Sequence, residues 1–161
     1  MGVIRKVVHI AAPPEAVWEV LCDGARLPVW NEELAAVKEI DGPLDHAGAG
    51  YTQVMRFGRW RAEGRLTVVS AEYARGREVM SVSPFTKYVR GRDRLDPRGG
   101  GTDLTVEIEY ALRGGVFGKL LDALLVHRMM SRTFARNGAN LKRMIEGDGV
   151  AADTSTGQPR A

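Results

Sequence analysis

Residues 102–146 read TDLTVEIEYALRGGVFGKLLDALLVHRMMSRTFARNGANLKRMIE, and the period of the apolar residues changes partway along this run. From 104 to 112 every second residue is apolar: Leu104, Val106, Ile108, Tyr110 and Leu112 alternate with Thr105, Glu107 and Glu109. A period of two puts the first set on one face of a strand and the second on the other, so this strand belongs to a sheet with one dry face and one wet face. Over residues 116–146 the period lengthens to that of a helix. At about 100° per residue, Val116, Leu120, Leu124, His127, Ser131, Phe134, Gly138, Leu141 and Ile145 share one face, and Arg128, Arg132, Arg136 and Arg143 share another. A long amphipathic helix directly after a half-dry sheet is the cover that the dry face requires.

Upstream, residues 36–112 carry further strand-like runs: AVKEI, GYTQVMRF, RWRAEGRLTVVSAEY, REVMSVS and KYVRGRDRLDP. They are separated by the turn-forming stretches DGPLDHAGAG, FGR, ARG, SPFT and PRGGG. Connections this short force antiparallel pairing, because a parallel return needs a dozen residues or more. The N-terminal VIRKVVHI adds a strand with Ile4, Val8 and Ile10 on one face and Arg5 and His9 on the other. Pro13, Pro14 and Glu15 then suit a helix's first turn, which predicts a helix over 14–23 with Val17, Trp18, Leu21 and Cys22 as its apolar stripe. A short second helix is expected over 26–33, with Leu27, Trp30 and Leu34 on one side. The fold class is therefore α+β: a curved antiparallel sheet of six to seven strands wrapped around a long C-terminal helix, with two short helices after the first strand.

At 161 residues, with 44% hydrophobic and 27% charged residues, the chain has the size and profile of one soluble globular domain. That domain is expected over residues 1–146, with a polar tail over 147–161 expected to be disordered. No apolar run approaches the ~18 residues of a spanning helix, so a cytoplasmic protein without integral membrane contact is expected. The single cysteine, Cys22, has no disulfide partner in the chain and reads as a small buried apolar residue. His9, His46 and His127 lack metal-ligand spacing, and no metal or cofactor is expected. GGVFGKLL fails as a phosphate loop, because Arg113 stands where its first glycine should be and Leu120 where Ser or Thr should follow the lysine. The net charge of +3 and an arginine ladder without interleaved aromatics give no reason to expect a nucleic-acid partner. The oligomeric state, monomer or homodimer, is left open by the sequence.

The opening IAAPPEAVWEVLCD followed by LPVW, the hairpin RDRLDPRGGGTDLTVEIEYAL and the helix start GGVFGKLLDALL resemble the START-like, or helix-grip (SRPBCC), superfamily, and within it the bacterial polyketide cyclase/dehydrase-like proteins. The resemblance covers about residues 3 to 146. It implies a cavity between sheet and long helix that holds an apolar ligand, while no catalytic motif is shared across such proteins.

On that fold, strand parity and helical spacing nominate inward residues as ligand contacts: Tyr51, Met55, Trp60, Leu66, Val106, Ile108, Tyr110, Leu124, Ser131 and Phe134. Trp30, by the resemblance, borders the cavity mouth. His127 sits on the apolar helix face, and Asp93 shares parity with Leu95. If both point inward they form a candidate acid/base pair for holding and protonating a poly-β-carbonyl chain. An inward Asp93 needs a partner, expected in His127 or Arg128; a one-residue slip would instead turn Arg92 and Arg94 inward. Three functions follow: a cofactor-independent polyketide cyclase, aromatase or dehydratase; a non-catalytic carrier of a lipid or apolar metabolite; or a protein-interaction module whose cavity is filled by Trp30, Trp60 and Phe134.

Overall fold

Alternating apolar residues make Gly2–Ile10 a strand, β1, which pairs not with its sequence neighbour but with the last strand of the chain. After it come α1 (Pro14–Cys22), a 3₁₀ turn (Gly24–Arg26) and α2 (Leu27–Trp30). The sheet continues as β2 (Leu34–Lys38), β3 (Gly50–Phe57), β4 (Trp60–Glu72), β5 (Gly76–Val82), β6 (Thr86–Arg98) and β7 (Gly101–Leu112), and α3 spans His127–Ser155. The computed structural model describes residues 2–57, 59–84, 86–113, 125 and 127–155, without the side chains of Phe57, Trp60 and residues 148–155.

All neighbouring strands run antiparallel in one seven-stranded sheet of order β1-β7-β6-β5-β4-β3-β2. This is the meander that the short connections dictate, closed at one end by β1 against β7. A bulge between Val68 and Ser70 moves the inward position by one, so Val68 and then Ala71 face the dry side while Val69 and Ser70 are exposed.

α1 starts at Pro14 with Glu15 in its first turn and ends at Cys22 rather than Asp23. Asp23 is already extended, and its Oδ1 accepts from Ala25 N at 3.0 Å to cap the 3₁₀ turn. The second short helix is likewise tighter than expected over 26–33, being split between that turn and α2. α3 does not stop at residue 146 but continues through Gly147 to Ser155. The start of the expected long helix, with Val116, Leu120 and Leu124, lies outside the described residues. Among the described residues no helix is long and apolar enough to cross a membrane.

The core forms two clusters on the dry face. The first joins α1 (Val17, Trp18, Leu21, Cys22) to Val68, Leu95 and Leu104 of the sheet and Leu141 and Ile145 of α3. The second joins Ile4, Ile108 and Tyr110 to Met130 and Phe134. α3 is tied to β1 by Lys142 Nζ donating to His9 O at 2.7 Å and by Ala11 N donating to Glu146 Oε1 at 2.9 Å.

Candidate functional site

The register lines up the dry-face residues in rows across the sheet. One row runs Val68, Val79, Gly91, Ile108, Ile4; the next runs Tyr51, Leu66, Ser81, Val89, Tyr110. The two ends of this concave face are filled: Val68, Leu95 and Leu104 are buried under α1 and the far part of α3, and Ile4, Ile108 and Tyr110 are buried at the other end. Its middle is not. Met55, Leu66, Val79, Val89 and Val106 on the sheet, Phe134 on α3 and Trp30 on α2 have the parity or packing of core residues yet remain only half-buried. Gly91 contributes no side chain there, and a Cβ would sit 2.9 Å from Val79 Cγ2. The site is thus a cup with apolar walls whose central residues are only half-buried.

The polar groups of the cup are engaged with one another. Gln53 Nε2 donates to Ser81 Oγ at 2.8 Å, both residues being buried. Asp93 does turn inward, opposite Arg77 in the β5–β6 register, and Arg77 Nε donates to its Oδ2 at 3.0 Å. The side chains are 7% (Arg77) and 12% (Asp93) exposed, so this is a buried ion pair. Arg77 also donates to Leu44 O at 3.3 Å and lies beside Cys22 and Tyr51. Burial pushes the Cys22 thiol up to about 11 and the Tyr51 phenol up to about 12, each partly offset by the Arg77 charge, so both stay protonated at neutral pH.

A second polar seam joins the α2–β2 connection to α3. Asn137 is buried, its Nδ2 donating to Asn31 Oδ1 at 3.1 Å and its Oδ1 accepting from Glu32 N at 3.2 Å. Asn140 Nδ2 donates to Trp30 O at 3.2 Å. Burial raises the Glu33 carboxyl above the ordinary carboxylate range, opposed by a hydrogen bond from the Thr133 side chain. This network fixes Trp30 at the edge of the cup.

Two expectations about the candidate pair need correction. His127 is exposed at the first residue of α3. The partner of Asp93 is Arg77, on the adjacent strand, rather than His127 or Arg128. Arg92 and Arg94 face outward, Arg92 bridging Glu78 and Glu107 and Arg94 pairing with Asp96.

Of the nominated contacts, Tyr51, Ile108 and Tyr110 are buried within the walls. Trp30, Met55, Leu66, Val106, Ser131 and Phe134 are half-buried. Leu124 and the side chain of Trp60 lie outside the described residues. Sequence reasoning missed Arg77, Ser81, Asn137 and Glu33. The alternation of Arg77, Val79 and Ser81 was the available signal for Arg77, since Val79 shares its parity. A larger groove of about 1150 Å³ reaches from the start of α1 and the β4–β5 turn across β5, β6 and β7, and ion-paired arginines and carboxylates such as Arg92, Glu78 and Glu107 line it.

A family model described as polyketide cyclase/dehydrase and lipid transport matches residues 1–146. Among solved structures, TTHA0849 from Thermus thermophilus is similar with a TM-score of 0.78 at 19% identity, covering 91% of this chain and 99% of that one. A START superfamily protein from Mycobacterium smegmatis is similar with a TM-score of 0.71 at 18% identity, over 90% of this chain and 97% of its own. The Zhui aromatase/cyclase from Streptomyces sp. R1128 gives a TM-score of 0.67 at 16% identity, over 89% and 95%. These likenesses establish the helix-grip fold. No curated protein matches the sequence.

Proposed function

Because the chain belongs to the polyketide cyclase/dehydrase and lipid transport family, we propose that it binds a hydrophobic, polyketide-like small molecule in the cup between the sheet and α3. The observation that carries this reading is the half-buried state of Met55, Leu66, Val79, Val89, Val106 and Phe134 in a face whose two ends are fully packed. Apolar side chains that face inward and still keep accessible surface are in place to cover an apolar ligand. A collapsed interior would need Trp30 and Phe134 to meet in its centre. They are instead half-buried members of different clusters.

Carriage is favoured over turnover by the state of the polar groups. Asp93 is neutralised by Arg77, Gln53 and Ser81 bond each other, and His127 is exposed, so the pair nominated for proton transfer is not assembled. The test is titration of the apolar dye Nile red into the wild type and into Val106→Trp, whose indole would occupy the open centre. At least tenfold weaker binding by a folded Val106→Trp is expected; equal binding would overturn the assignment of the cup.

A further inference from the structure

A separate cleft of about 410 Å³, lined by none of the residues that line the cup, falls within the size range of small-molecule pockets. It is bounded by the C-terminal half of α1, the loop around residues 40–45 and the turn between β4 and β5. Its apolar wall is aromatic: Trp18 and Tyr73 meet edge to face, with ring centroids 6.3 Å apart and planes at 74°. Trp18 is anchored in the first core cluster, whereas Tyr73 is 66% exposed and Ile40 across the cleft is 38% exposed. Tyr73 and Ile40 thus line the cleft with exposed apolar surface.

The charges around that surface have one sign. Glu19, Asp23 and Asp45 line the cleft and no lining residue is cationic. Asp45 is shared with His46, whose Nδ1 lies 2.9 Å from its Oδ1, and Asp23 uses one oxygen to cap Ala25 N. Glu19 is exposed and has no ion pair among the described residues. The charge behind the floor, Arg77, is taken up by Asp93. Aromatic faces ringed by carboxylates attract a positive charge carried on an apolar body, through the ring quadrupole within about 6 Å and through Coulomb attraction at the rim.

We propose that this cleft binds a small organic cation, an amine or quaternary ammonium bearing an apolar group, with Trp18 and Tyr73 against its body and Glu19 and Asp23 at its charge. The site is separate in space from the cup, so the two readings stand or fall independently.

The probe is benzyltrimethylammonium, titrated by calorimetry against its neutral carbon isostere, neopentylbenzene, and against the anion phenylacetate. Binding of the cation alone is expected. Tyr73→Ala, at an exposed position, and the double variant Glu19→Gln/Asp23→Asn, which keeps an amide oxygen to cap Ala25, should each weaken it at least tenfold, while Val106→Trp in the cup leaves it within twofold. Failure of the cation to bind, equal binding of the neutral isostere, or indifference to Tyr73→Ala would overturn the proposal. If Val106→Trp abolishes Nile red binding without changing the cation titration, the two sites are independent; a parallel loss would assign the cation to the cup and overturn this assignment.

Discussion

Replacing Asp93 by Asn leaves the Arg77 guanidinium in a site where its side chain is 7% exposed and its carboxylate partner is gone. Breaking a buried ion pair from one side costs about 3–5 kcal/mol, because the surviving charge is uncompensated. Arg77 keeps its bond to Leu44 O, which places the expected loss near the lower end, about 3 kcal/mol. With a urea slope of about 2 kcal/mol/M, that moves the unfolding midpoint down by about 1.5 M. The double variant Arg77→Met/Asp93→Leu fills the same space without charge and should lie within about 1 kcal/mol of the wild type, since apolar replacements of buried pairs are often neutral. The assay is urea unfolding followed by tryptophan fluorescence on Asp93→Asn and on the cycle of wild type, Arg77→Met, Asp93→Leu and Arg77→Met/Asp93→Leu. A cost below about 1 kcal/mol for Asp93→Asn, or a double variant that costs the sum of the singles, would refute the buried-pair reasoning. Under conditions where Asp93→Asn is folded, its Nile red affinity should stay within twofold of wild type, as befits a residue that holds the sheet and loop together rather than one that handles the ligand.

The Cys22 thiol, raised from 9.0 to about 11, should react with a disulfide reagent at pH 8 at least ~100-fold more slowly in the folded protein than in urea; comparable rates would show that it is neither buried nor shifted. Asp103 is held below the ordinary carboxylate range by its hydrogen bonds from His9 and Arg98, and Glu146 by those from Lys142 and Ala11 N. A lowered folded pKa contributes stability above the unfolded value and loses it as pH falls through the folded one, so the thermal midpoint should drop as the pH is taken down through and below the ordinary carboxylate range. Glu146→Gln should flatten that acid limb in melts followed by circular dichroism, and an unchanged limb would remove Glu146 from the account.

Much of the architecture was legible because periodicity and connection length are local properties. The alternation in TDLTVEIEYAL gave the dry face of β7 correctly, and the turn-sized gaps gave an antiparallel order. Parity set Asp93 on the face of Leu95 but left open whether that face is the inner one; the ion pair with Arg77 decides it. The helix wheel was less reliable at its end. His127 has the right angular position beside Phe134 and Leu141 yet is exposed, because spacing fixes a residue's angle on the helix and not what lies opposite it at that height.

Local pattern was enough to tell which face of each strand is apolar, that a long amphipathic helix must cover the sheet, and that an inward Asp93 would need a counter-charge. That the counter-charge is Arg77 emerges only in the folded chain, because the pairing depends on the register of β5 against β6, in which residue 77 stands directly opposite residue 93. Folding likewise separates Trp18 from Trp30. Trp18 belongs to the anchor of α1 and the wall of an outer cleft, and Trp30 to the edge of the inner cup, because they stand on different helices, α1 packing on β6 and β7 and α2 on β2.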